Sequence, residues 1–235
     1  MTFCNRAEAG RRLTEQLRTW PSDLPVVVAL APRGVPLAAG VAAALNAPLD
    51  AVLVHELTVA GCPPGTLGAV GEDGVTEINT YLAGRLGVDP ARLDQEARHA
   101  AELTMDAQRS LRELVPEESV AGRTVVLVDD GVATGAGASV AVTVLRKRGV
   151  SRLVLAVPVG ARSVLGRLRT MVDSLVCVRE MPWPRPVGEW YEDYPDVTDE
   201  EARQLLVRAA RHRASDPFPS FAAAAAHSLS RGALV

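Results

Sequence analysis

Lysine is almost missing from this 235-residue chain: Lys147 stands alone, and arginine supplies every other strong cation. Lysine-based chemistry such as Schiff-base formation is thereby nearly excluded. Cysteine is scarce as well. Cys4, Cys62 and Cys177 lie far apart, follow no metal-ligand spacing and form no even set, which argues against a disulfide framework and fits a reducing cytoplasm. Long apolar runs are absent: no uncharged stretch reaches the ~20 residues that span a bilayer, and Met1 to Trp20 holds no apolar core of signal-peptide length. Nor is there a large charge of one sign. A formal net charge of -3 provides no general field for nucleic acid or an anionic membrane, so neither is expected as a partner and any anion site has to be built locally.

With 48% hydrophobic and 23% charged residues, the chain can bury one sizeable core. The expected domain covers residues 1–213, with a tail over 214–235 whose alanine run and prolines lack amphipathic patterning and read as disordered. A helix is expected from Asn5 to Trp20, ending at Pro21. The continuous β-branched run Val26 to Leu30 reads as a strand buried on both faces, broken by Pro32-Arg33-Gly34-Val35-Pro36. A helix over Leu37–Asn46 and a strand over Ala51–Val54 complete a strand-helix-strand unit, for which a parallel sheet is the economical solution. Thr58 to Gly74, rich in glycine and proline, reads as a mobile loop or short hairpin. Asp89-Pro90 opens a long helix that runs to about Val115. Then come a strand Thr124–Val128, a glycine-rich turn, a helix Ala138–Arg148 and a strand Leu153–Val157. A helix Arg162–Thr170, a strand Ser174–Val178 and a last helix Asp199–Arg213 follow.

The chemistry concentrates in Asp129-Asp130-Gly131-Val132-Ala133-Thr134-Gly135-Ala136-Gly137. An apolar strand delivers two adjacent carboxylates at its carboxyl end, and a turn of small residues leads into a helix. Such a turn exposes backbone N–H groups and a helix N-terminus, which together favour a phosphate, and Thr134 adds a hydroxyl donor. Two acids beside a phosphate repel it unless they meet sugar hydroxyls or a divalent cation. A ribose phosphate with Mg2+ satisfies both demands. No Gly-Lys-Ser/Thr follows, so the string is not a Walker loop.

This string resembles the binding motif for 5-phosphoribosyl 1-pyrophosphate (PRPP) of type I phosphoribosyltransferases. The similarity extends from Asn5 to Leu206, through Pro32-Arg33-Gly34, Leu67-Gly68-Ala69-Val70 and Trp190-Tyr191-Glu192-Asp193-Tyr194. It implies an α/β fold with a central, mainly parallel sheet flanked by helices, and a small hood and flexible loop from about 58–88 and 180–195. It implies that Asp129 and Asp130 hold the ribose hydroxyls, and a metal ion only indirectly through them or water. Val132, Ala133, Thr134, Gly135, Ala136 and Gly137 would cradle the 5′-phosphate. Arg33 and Gly34 would receive the pyrophosphate, Arg33 as a fixed fork of donors. Trp190 and Tyr191 either stack on a planar base or only seal the sheet edge. A homodimer is implied as well.

The chain departs from the family pattern in one direction. It reads Arg33-Gly34-Val35 where a second glycine is usual, and His55-Glu56 where Arg-Lys is frequent. No lysine or arginine occurs between Gly34 and Gly84, which leaves His55 as the only basic group there, with Glu56 and Glu72 opposing an anion. Arg109 and Arg112 of the long helix, or an arginine from a second subunit, are the cations expected to compensate. The expected activity is transfer of the phosphoribosyl group from PRPP to a nitrogenous base. The alternatives are a PRPP- or nucleotide-binding regulator without catalysis, and a transferase using another donor.

Overall fold

The computed structural model describes residues 2–18, 25–62 and 67–215. The end of the expected first helix at Trp20 and Pro21, and most of the expected tail, lie outside them. The elements run α1 (Arg6–Leu17), β1 (Val26–Ala31), α2 (Val35–Leu45), β2 (Leu49–Glu56), β3 (Gly68–Gly71), β4 (Thr76–Ile78), α3 (Thr80–Arg85), α4 (Pro90–Arg112), β5 (Thr124–Val128), α5 (Ala136–Lys147), β6 (Arg152–Ala161), α6 (Arg162–Leu168), β7 (Ser174–Met181) and α7 (Asp199–Ser215). Short 3-10 turns cover Glu72–Gly74 and Val187–Trp190.

The seven strands form one sheet in the order β4-β3-β2-β1-β5-β6-β7. Strands β2, β1, β5, β6 and β7 are mutually parallel, whereas β3 and β4 add an antiparallel hairpin beyond β2. The apolar runs explain the layering, because a strand with no polar face has to be covered on both sides. Alternate residues serve opposite cores. Val27, Ala29, Val126, Val128 and Ala156 pack with α1, α2 and α7, while Val28, Leu30, Val125, Leu127 and Leu155 pack with α5 and α6. A third cluster holds the hairpin against α4 through Leu57, Leu67, Val70, Leu93 and Ala100.

Two boundaries differ from expectation for local reasons. Helix α2 begins at Val35 rather than Leu37, since Pro36 occupies the first helical turn, where a missing N–H costs nothing. Strand β6 runs on past Pro158 to Ala161, pairing with β7 at Val157, Val159 and Gly160. Strand β5 has ended by then, its last partner being Ala156, so Pro158 is tolerated where one edge carries no ladder. Of the expected loop or hairpin over Thr58–Gly74, residues 68–74 form β3 and the turn into β4, and residues 63–66 lie outside the described residues.

The connections fix where a ligand can sit. From β1 the chain passes outward through α2 to β2, and from β5 it passes through α5 to β6 on the other side. The carboxyl ends of β1 and β5 therefore border the crevice where the winding reverses, which is where open α/β sheets bind ligands.

Candidate active site

At the carboxyl end of β5 the two acids part company. Asp129 is half-buried and faces a hollow of about 480 Å3 bordered by Arg33, Glu56, Thr134 and Tyr194. Its Oδ1 accepts the backbone N–H of Asp130 at 2.8 Å. Enclosure and the adjoining Asp130 carboxylate push the Asp129 pKa well above the usual range, against an opposing pull from Arg33. Asp130 is only 2% exposed, and its Oδ2 accepts from Arg6 Nε at 2.9 Å and from the Tyr194 hydroxyl at 2.8 Å. The Tyr191 hydroxyl donates to the Asp130 carbonyl at 2.5 Å. Burial first, then the nearby Asp130, raises the pKa of both tyrosines, so both remain protonated donors.

These partners come from remote segments. The N-terminal residues pair with the stretch after β7: Phe3 N–H donates to the Trp190 carbonyl at 2.7 Å, and Glu192 N–H donates to the Phe3 carbonyl at 2.8 Å. That pairing sets Phe3 against Tyr191 and Tyr191 against Tyr194, with centroids 5.6 and 4.9 Å apart, and brings the Arg6 guanidinium 3.9 Å above the Tyr194 ring.

The turn after Asp130 is tied to β6, with Val132 N–H donating to the Val159 carbonyl at 2.9 Å and Ala161 N–H to the Val132 carbonyl at 3.2 Å. Gly135 caps α5 at φ +80, and a Cβ there would lie 2.5 Å from Val164 Cγ1, so glycine is required twice over. Arg167 clamps the turn from outside, bonding the Thr134 carbonyl and the Glu77 carboxylate at 3.1 Å each. The amides of the first turn of α5 have no partner within the helix and point to its N-terminal end.

Opposite, the turn after β1 presents Arg33. Gly34 lets it sit close: a Cβ on Gly34 would stand 2.6 Å from the Leu30 carbonyl oxygen and 2.8 Å from that of Val128. The guanidinium of Arg33 is not free, for its Nη2 lies 3.1 Å from Glu56 Oε2. Pro184, Arg185, Pro186 and Val187 form the remaining wall.

Of the residues expected from sequence, Arg33, Asp129, Asp130, Val132, Ala133, Thr134, Gly135 and Gly137 border the hollow. Gly34 and Ala136 stand behind it, Gly34 as a packing glycine and Ala136 buried in the first turn of α5. Trp190 and Tyr191 need correction as base-stacking residues: Tyr191 is 6% exposed inside the aromatic cluster, Trp190 packs half-buried on the core, and neither borders the hollow. Tyr194 does. The supposed compensating cations also lie elsewhere. Arg112 bonds Asp50 at 2.6 Å near the start of β2, and Arg109 pairs with Asp106 at 3.2 Å on the surface. Glu72 is buried beneath Arg148, and His55 turns to Thr104 with Nδ1 2.9 Å from its Oγ1. Sequence reasoning missed Arg6 altogether; its only signal was an arginine directly after a helix cap, which many surfaces show.

A mainly parallel sheet with the turns after β1 and β5 facing each other across an open hollow defines a type I phosphoribosyltransferase fold. No family model matches the chain. It is 36% identical to TT1426 from Thermus thermophilus, covering 89% of this chain and 100% of that one, and their structures agree with a TM-score of 0.72. It is also 37% identical over 212 residues to a "putative phosphoribosyl transferase" of Mycobacterium tuberculosis, found in two strains. That match covers 89% of this chain and 47% of the mycobacterial protein, so the chain spans about half the length of the curated relatives it matches. The chain belongs to the type I phosphoribosyltransferase family.

Proposed function

We propose that the chain transfers the 5-phosphoribosyl group of PRPP to a nitrogenous acceptor, releasing pyrophosphate. The observation that carries this is the open hollow in which the half-buried Asp129, the amide-rich turn of residues 131–137 and Arg33 converge. Each has a task set by its chemistry. Asp129 accepts hydrogen bonds from ribose hydroxyls, and the Thr134 hydroxyl with the first-turn amides of α5 anchors the 5′-phosphate. Arg33 meets the diphosphate once it leaves Glu56. As the acceptor nitrogen's lone pair forms the bond to the anomeric carbon, the bond from that carbon to the pyrophosphate oxygen breaks and its electron pair departs with pyrophosphate. Catalysis then rests on positioning and charge stabilisation.

Among the described residues no group of three or more His, Cys, Asp or Glu side chains could hold a metal ion. The Mg2+ of this proposal would be carried on the diphosphate, with Asp129 reached through sugar hydroxyls or water, and would neutralise part of the leaving group's charge. The wall from Pro184 to Val187 is the proposed acceptor side. No helix among the described residues is long and apolar enough to cross a membrane. A cytoplasmic homodimer belongs to the same proposal, and sedimentation of the purified chain tests its oligomeric part.

Calorimetric titration with PRPP and magnesium chloride, paired with a pyrophosphate-release assay over a panel of bases, tests the function. Micromolar binding with release for at least one base is expected; failure of PRPP to bind overturns it. The lack of lysine and arginine over positions 35–84 favours a second reading, a PRPP- or nucleotide-binding regulator, and binding without turnover of any base selects it.

A further inference from the structure

The winding of the sheet sets an acid on the cation of the proposed leaving-group side. Strand β2 overshoots β1: Ala31 pairs with Leu53, and β2 continues to Glu56. Successive residues of a strand point to opposite faces. His55 accordingly turns to Thr104, while Val54 and Glu56 border the hollow. Glu56 there reaches Arg33, with Nη2 and Oε2 3.1 Å apart. The side chains are 47% and 29% exposed, so water touches the pair and its net strength is small. An arriving phosphate can take Arg33, but Glu56 is then left beside that phosphate as a like charge.

Little else offsets it. Positions 35–84 carry no lysine or arginine, Arg112 and Arg148 are committed to Asp50 and Glu72, and the other cation bordering the hollow is Arg185, on the acceptor wall.

We propose that Glu56 is a specificity-determining residue whose charge beside Arg33 weakens the binding of PRPP, with its highly charged group on the anomeric carbon, relative to ribose 5-phosphates carrying little or no charge there. This rests on the ribose-phosphate site proposed above, with PRPP still its donor.

The test compares the full-length chain with Glu56→Gln and Glu56→Asp by calorimetry, using PRPP and ribose 5-phosphate at one fixed magnesium concentration. Glu56→Gln is expected to tighten PRPP by about tenfold, as removal of one like charge at a part-exposed site does, and to move ribose 5-phosphate by less than about twofold. Glu56→Asp keeps the charge and the wild-type preference. If Glu56→Gln fails to fold, Glu56→Ala carries the same expectation. An unchanged ratio of the two affinities, or weaker PRPP binding, overturns the role of Glu56. Failure of the unmodified chain to bind either ligand overturns the ribose-phosphate reading itself, and with it the inference.

Discussion

Arg6 Nε donates to Asp130 Oδ2 across 2.9 Å, although the two residues are 124 positions apart. The same guanidinium donates through Nη1 to the Pro195 carbonyl at 2.6 Å and covers the ring of Tyr194. One side chain on the first helix thus joins the end of β5 to the segment after β7. Of the two neighbouring acids, Asp130 ties this junction together through Oδ2 while bordering the hollow, and Asp129 faces the hollow without such a tie.

Removing Arg6 should therefore damage stability first. The pair is buried, with side chains 7% and 3% exposed, and deleting one partner leaves an uncompensated charge. Arg6→Met is expected to cost about 3–5 kcal/mol, read as a lower urea midpoint. Arg6→Met with Asp130→Asn should cost less than the sum of the single changes, because the orphaned charge is gone. Simple additivity would show that the pair is not coupled.

Asp129 should behave in the opposite way. Its folded-state pKa is raised, so ionised Asp129 opposes folding at neutral pH. The opposition fades as pH falls through the raised value and is gone below the ordinary carboxylate pKa of about 3.9. Asp129→Asn should melt higher than the wild type at neutral pH, with the gain shrinking on acidification, while losing ribose-phosphate affinity. Wild-type affinity should in turn fall at a pH above that at which an exposed aspartate titrates. Melting curves and titrations across pH check both; a variant less stable at neutral pH contradicts the assignment.

The contrast between the two acids shows what the sequence makes visible. Strand β5, the turn and α5 are contiguous, and their order alone points to a phosphate cradle; the strand from Thr124 to Val128 was legible residue for residue. The division of labour between Asp129 and Asp130 was not, because it depends on Arg6 and Tyr194, which reach Asp130 only once Phe3 pairs beside Tyr191. Likewise an aromatic run after β7 was visible, but which ring enters the hollow depends on the 3-10 turn at Val187–Trp190. Pro158 hid the end of β6 for the same reason: whether a proline breaks a strand depends on its neighbours in the sheet.

Gly34 gives a prediction rooted in backbone packing. Its φ is -74, so alanine meets no conformational strain, yet the new Cβ would press on two carbonyl oxygens of β1 and β5. Neither is a flexible side-chain end that can move aside. Gly34→Ala is expected to cost about 1–3 kcal/mol and to shift the turn that carries Arg33, weakening PRPP more than ribose 5-phosphate. Denaturation and paired titrations read both effects, and unaltered stability would show that the turn yields.

Tyr194 allows hydroxyl and ring to be separated. Tyr194→Phe removes the donor 2.8 Å from Asp130 Oδ2 but keeps the ring between Arg6 and Tyr191, and its expected cost is about 1.5–3 kcal/mol, that of a hydrogen bond to a charged group. Tyr194→Ala also removes the surface that Arg6 covers and that Tyr191 packs on at 4.9 Å, so it should cost more, and it opens the wall of the hollow. Ribose-phosphate affinity should survive in the phenylalanine variant, since Asp129 and the amide turn are untouched, and should drop in the alanine variant. Equal losses of affinity in both would mean that the hydroxyl itself contacts the ligand, leaving Asp130 bound by Arg6 alone.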